Sequence, residues 1–335
     1  MPYLNVANNS EAVRKLRFAL GEPNSLHRYV RRVTARASSL FAAVSILWGI
    51  PYLLIKIAVD GGIPPVPLAW GRMVLGGSVL LALCAREGVL GQLRGHWQPL
   101  LAYAVIELAI PLPLIATGER HIASSLAAIV VATVPLLVAL LALRLDHTQT
   151  ITGRRLAGLL VGLVGVALLV GVDASTSLTA LLSVGAVFIA AVGYAIGPLI
   201  LNRHLSGVDP RASMGATLAL AAVILTPLML FDFPSRAPSA GALGSMVALA
   251  LFCSALAFVL MAHLIAEIGP ARAVVITYIN PVVALILGVV FLGESPGLGS
   301  IVGLILILSG SWFATVRRAQ SPDAPPEPTA AEVLA

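Results

Sequence analysis

Glu107 lies in the middle of an apolar run, Tyr103-Ala104-Val105-Ile106-Glu107-Leu108-Ala109-Ile110-Pro111, too far from either end for its carboxyl to reach water. An apolar setting favours the neutral acid, so such a group is suited to taking up and releasing protons near neutral pH. The alternative is a structural pairing with a neighbouring helix, for which Arg72 is the candidate partner. Charges at mid-bilayer cost about 2.5–3.5 kcal/mol even on lenient insertion scales, so they are kept for a reason. Lys56 and Arg72 are the other ionisable residues inside apolar runs, each near one end of its run. Either both snorkel to headgroups, or they line a path and meet a carboxylate. Trp48 and Tyr52, four residues apart and hence on one helix face, join Tyr194, Tyr278 and Asn280 as mid-run groups able to shape a pocket. Asn280 stands out because an amide in hydrocarbon requires partners.

Prolines interrupt several runs, and Pro135 and Pro281 do so at matching places in two similar stretches, Thr133-Val134-Pro135-Leu136-Leu137 and Ile279-Asn280-Pro281-Val282-Val283. Each withholds a backbone donor and frees a carbonyl one turn back, which makes both candidate helix-break sites beside a ligand. Cys84 and Cys253 stand alone in separate runs, and the histidines are scattered. No metal site, catalytic constellation, phosphate loop or cofactor motif is formed locally. An enzyme is therefore not expected. An intramembrane lipid-handling enzyme would need a nucleophile or metal set that the sequence does not offer.

These residues need a bilayer to hold them. Of 335 residues 59% are hydrophobic and 11% charged, with a mean hydropathy of +0.97. A hydrocarbon core of about 30 Å takes roughly 20 residues at about 1.5 Å rise each. Continuous runs of that length fall near 40–59, 68–86, 97–117, 122–143 and 155–172, then 179–202, 212–231, 244–266, 271–292 and 298–316. They predict an all-α, polytopic membrane protein of ten transmembrane helices. Gly158 and Gly165 have the same spacing as Gly303 and Gly310, so the ten read as two copies of five. An odd number per copy makes the repeats inverted, a recurrent basis of alternating access.

Lys and Arg fall 17 to one side of these runs and 2, Arg120 and Arg236, to the other. The positive-inside rule then predicts both termini cytoplasmic in a cytoplasmic membrane. The formal charge of +6 reflects this topology and gives no reason to invoke nucleic acid. The organisation expected is a basic N-terminal segment (1–39), repeat one (40–173), repeat two (179–317) and a disordered Pro- and Ala-rich tail (318–335). The first run is too long, and lacks the small-residue site, for a cleaved signal peptide. Gly193 with Gly197 and Gly299 with Gly303 form small-xxx-small patterns that mark close helix packing and permit a homodimer without requiring one.

The chain resembles the EamA family of the drug/metabolite transporter superfamily. The residues that carry the likeness are Trp48-Gly49 with Lys56, Pro67-Leu68-Ala69-Trp70-Gly71-Arg72, and Ala127-Ala128 leading to Pro135. In the second copy they are Gly269-Pro270-Ala271-Arg272-Ala273, Tyr278-Ile279-Asn280-Pro281 and Leu292-Gly293-Glu294. The resemblance implies a ten-helix carrier with a central cavity that moves small metabolites, amino acids or toxic compounds, commonly outward and often driven by protons. Its first copy departs from the pattern, with Leu145-Asp146-His147-Thr148 where the second has Leu-Gly-Glu, and Glu107 belongs to no family motif. On this reading the partners are a small-molecule substrate and lipid. Trp48, Tyr52, Lys56, Arg72, Tyr278 and Asn280 bind the substrate, and Glu107 exchanges protons. An exporter of hydrophobic drugs is the alternative.

Overall fold

The computed structural model describes residues 23–145, 153–169, 177–273 and 275–315. The first 22 residues, the Asp146-His147-Thr148 segment and the tail from 316 onward lie outside the described residues. Every regular element among the described residues is helical. Among the described residues seven helices are long and apolar enough to cross a membrane: α1 (Ala35–Asp60), α2 (Pro65–Arg86), α3 (Trp97–Glu119), α4 (Ser124–Leu141), α6 (Leu178–His204), α7 (Pro210–Met229) and α8 (Ala240–Ile268). Three apolar helices are shorter: α5 (Leu156–Leu169), α9 (Ile276–Leu292) and α10 (Leu298–Ala314).

Local sequence explains several of the ends. Pro65 and Pro210 open α2 and α7 from the first turn, where a missing N–H costs nothing. Ser177 and Ser239 cap α6 and α8 by accepting from the Ala180 and Ala242 amides, both at 3.1 Å. α9 ends at Gly293, whose φ of 64° a residue with a Cβ would rarely adopt.

The middles of α3 and α8 depart from α geometry at equivalent places. Both widen into a π turn, at Ala104–Ala109 in α3 and at Leu251–Leu256 in α8. In α3 the cause is visible. Pro111 has no N–H for the Glu107 carbonyl, and the Ile110 amide reaches back five residues to the Val105 carbonyl at 3.1 Å. α8 makes the same turn without a proline.

The matched glycines prove to face one another. A methyl group added at Gly158 would strike the backbone of Gly310 and Ala314, and one at Gly165 the backbone of Gly303 and Ile307. α5 and α10 therefore run antiparallel with their backbones in contact, the geometry small residues permit in lipid. α2 and α7 cross in the same sense, Gly77 lying on Gly215 and Leu218. Between these pairs, α1 packs on α8 and α9, just as α6 packs on α3 and α4.

The two ends of the bundle differ in charge. At one, Arg36 pairs with Glu267 at 2.8 Å, and Arg211 joins Glu87 at 2.7 Å and Asp209 at 2.8 Å. The Arg211 side chain and backbone amide bond the Asp209 carboxyl and hold it below the usual carboxylate range, although partial burial opposes this. At the other end lie Lys56, Asp60, Glu119 and Glu294. These are called the basic and the acidic end below.

Candidate functional site

Arg72 is two turns into α2, a helix brought against α8 by its own small residues. Gly71 leaves room for Met246, and Gly76 for the Ala250 carbonyl and the Ser254 side chain. That contact aims Arg72 into the bundle, where its Nε donates to Ser254 Oγ at 2.8 Å. Ser254 belongs to the π turn of α8 and is 1% exposed. Among the described residues no carboxylate lies within ion-pair distance of Arg72, so the pairing with Glu107 considered from sequence is absent. The guanidinium instead borders a void of about 10 Å³ with Ile55, Leu68, Leu112 and Leu249. Beyond the bond to Ser254, the guanidinium has no protein hydrogen-bond partner among the described residues.

Glu107 sits in the π turn of α3 and points at α6. Gly193 admits the Ile106 carbonyl and Gly197 admits the Glu107 carboxyl; a Cβ at either position would occupy the same space. Glu107 Oε2 is buried with no hydrogen-bond partner. These are the glycines whose spacing also permitted contact between chains, and here they are filled from within. Tyr194, between them on α6, is close enough to feel the charges of both Arg72 and Glu107, and buried Tyr52 is within reach of Tyr194 and Arg72. Tyr52 and Tyr194 pack in one apolar cluster, while Arg72 is bound by Ser254 of α8 and Glu107 is seated on Gly197 of α6.

The other predicted residues are placed elsewhere. Trp48 packs edge-on against Phe258, ring centroids 5.5 Å apart, in a cluster nearer the basic end. Asn280, with its amide nitrogen turned to the Ser45 carbonyl at 3.1 Å and the Ile276 carbonyl at 2.9 Å, ties α9 to α1. Tyr278 packs edge-on against Trp312 at 5.9 Å. Lys56 lies at the acidic end, donating to the Glu119 carbonyl at 2.8 Å and pairing with Asp60 at 3.2 Å. The two prolines differ. α4 is interrupted at Ala132 and Thr133, immediately before Pro135, whereas Pro281 lies inside a continuous α9 and the interruption of that arm comes earlier, before Ile276. A proline in the second turn withholds one bond and bends a helix without severing it, which corrects the expectation of a break at Pro281.

Three residues were not singled out as site residues from the sequence. Ser254 has no signal of its own; it becomes notable only when α3 and α8 are aligned and it falls opposite Glu107. Glu119 ends its helix beside Arg120 and His121 and reads as a headgroup residue, yet it is 0% exposed. Glu294 accepts the Ser124 and Ser125 amides at 2.7 and 3.0 Å, capping α4 from the α9–α10 turn. Burial pushes its carboxyl up, but these bonds outweigh burial and hold it below its ordinary value.

Proteins named as transporters are among those similar to this chain. It is 31% identical over 278 residues to the uncharacterised inner membrane transporter YedA of Escherichia coli (strain K12), covering 79% of this chain and 85% of that protein. It is 28% identical over 270 residues to a probable terminal-alkyne amino-acid exporter of Streptantibioticus cattleyicolor, covering 79% and 88%. A solved crystal structure shares the fold with a TM-score of 0.61 at 23% identity, over 83% of this chain and 97% of that one. The model of the EamA-like transporter family matches twice, at residues 36–171 and 181–316. Its two matches take in both π-turned helices, both glycine-matched helices and nearly all the apolar sequence: the chain is a multi-pass membrane transporter and belongs to the EamA-like transporter family.

Proposed function

We propose that this transporter is a secondary carrier that exports a small metabolite, an amino acid or related zwitterion, by alternating access between two inverted five-helix repeats. The chain crosses a cytoplasmic membrane ten times, with both termini and the basic end in the cytoplasm. One observation carries the substrate class: Arg72 is held by a neutral hydroxyl, with no carboxylate among the described residues to satisfy it. A substrate carboxylate supplies the missing bidentate partner, while Tyr52 and Tyr194 bound the space beside it. Trp48, Tyr278 and Asn280 shape the path toward the basic end, and Lys56 meets the substrate where it leaves. The amino-acid exporter among the relatives supports this class.

Glu107 exchanges the coupling proton. Its carboxyl lies in a dry glycine niche with one oxygen unbonded, an environment in which the charged form is costly and the neutral one is not. The test is substrate-induced proton movement in liposomes holding the purified protein, screened over amino acids and related metabolites against protein-free vesicles. A signal for one zwitterion class, lost in Arg72→Ala, is expected. Full proton-coupled flux in Glu107→Gln would remove Glu107 from the mechanism.

A second reading has its own support. An apolar, half-open groove of about 350 Å³ lies between α4, α5 and α6, lined among others by Val130, Val166, Leu181 and Phe188. It suits a hydrophobic compound better than a zwitterion. A resistance profile separates the two: protection against lipophilic toxins without amino-acid flux would favour a drug exporter.

A further inference from the structure

The acidic end holds a second carboxyl that substrate binding leaves unexplained. Glu119, the last residue of α3, is 0% exposed and neither carboxyl oxygen has a hydrogen-bond partner. Its neighbours are committed elsewhere. Lys56 gives its ammonium to the Glu119 backbone carbonyl and to Asp60. Glu294 spends both oxygens on the α4 amides. The charged groups that reach Glu119 are thus one lysine and two carboxylates, with Tyr52 below them; Arg120 and His121 are exposed. A third negative charge would be dry, unbonded and surrounded by a net negative set, so the geometry accommodates the neutral acid.

This end of the bundle is also shut. Ile63 is 4% and Ile122 6% exposed, and the Ser239 amide donates to the Gly61 carbonyl at 2.9 Å, fastening the α1–α2 turn to the start of α8. Glu119 is twelve residues from Glu107, about 18 Å along the helix, too far for the two to share a proton. From the closure and the unbonded acid together we propose that Glu119 is a second proton-binding site, filled from the medium at the acidic end, whose proton must be present for that end to close. Ionisation requires water at the carboxyl, and water enters when the Lys56 and Gly61 contacts part. This rests on the carrier reading for its purpose, since a proton-gated end would commit the carrier to one side per cycle.

The test reads accessibility and needs no substrate. The full chain, with Cys84 and Cys253 replaced by alanine and Ile63→Cys introduced, is labelled in detergent with a bulky maleimide. Ser235→Cys, exposed between α7 and α8, serves as the reference that corrects for thiol ionisation. Relative labelling of Ile63→Cys should rise several-fold between about pH 5 and about pH 8, stay low and flat when Glu119→Gln is added, and regain its slope with Glu119→Asp. An unchanged slope in Glu119→Gln, or labelling equal to the reference at low pH, overturns the proposal. Should Glu119→Gln not fold, the Glu107→Gln chain offers a second readout. Its infrared band from a protonated, dry carboxylic acid must fade as Ile63→Cys becomes accessible, and a band that is absent or constant refutes the site. A flat slope with intact proton-coupled flux defeats this site alone; an intact slope with no flux defeats the carrier reading alone.

Discussion

The π turns of α3 and α8 are the same backbone device put to different uses. In α3 the widened turn presents Glu107 to two glycines of α6, which leave its carboxyl room and one oxygen unbonded. In α8 it presents Ser254 to Gly76 of α2, and the hydroxyl orients Arg72. The turn supplies a displaced side chain; the residue at its apex decides whether that side chain is an acid or the support of a base. Equivalent turns in the two repeats thus carry different chemistry: repeat one's holds the acid Glu107, and repeat two's holds the hydroxyl that binds Arg72, itself a residue of repeat one.

The difference can be broken at its strongest point by removing the cation. Arg72→Ala should cut zwitterion flux on the order of 100-fold, the effect of losing about 3 kcal/mol of charged pairing, while leaving the size-exclusion profile of the folded protein unchanged. Equal flux in that variant would show that α8's hydroxyl supports nothing used in transport. The next effect belongs to the acid's niche. Gly197→Ala places a methyl where the Glu107 carboxyl lies and should lower stability by about 1–3 kcal/mol, read as a fall in melting temperature. Adding Glu107→Ala should recover most of that loss, because the two substitutions share one volume; additive losses would mean the niche is not what holds Glu107.

Ser254→Ala sharpens the contrast further. It deletes a support and keeps the charge, so it should raise the half-saturating substrate concentration roughly five-fold, about 1 kcal/mol, with little change in maximal flux. The smallest effect lies outside the centre. The Glu294 carboxyl is held below its ordinary value in the folded chain, so the stability it lends is present above that value and lost as pH falls from it through the lower folded value. Acidification should therefore lower the melting temperature of the wild type and do so less in Glu294→Gln, whose cap is already weakened by about 1 kcal/mol.

Much of this architecture is legible in the sequence, because lipid enforces it. Long apolar runs, the Arg bias at their ends and paired glycines each answer a physical demand of the bilayer, and the helices found at 65–86, 97–119 and 210–229 lie within a few residues of those runs. The centre is legible only in part. Glu107 and Arg72 stand out as charges where charges are expensive, but whether they touch depends on which way each helix is turned, and a hydropathy run does not record rotation. Ser254 looks like filler until the fold brings it to Arg72. Glu119 is missed for the opposite reason: a charge at the end of a run is ordinary, and no neighbour in sequence records that the side chain is fully buried. Pro281 illustrates a further limit, since equal positions in two copies stand beside a break in one and inside an unbroken helix in the other.

The backbone contact between α5 and α10 has a consequence for the chain as a polymer. Because Gly158, Gly165, Gly303 and Gly310 mesh across the boundary between the first half of the sequence and the second, continuity of the peptide between α5 and α6 is not what holds the halves in register. A gene cut there, with each half made as its own polypeptide, should yield two fragments that find each other in the membrane and purify together, and a single Gly158→Leu exchange should leave them strangers.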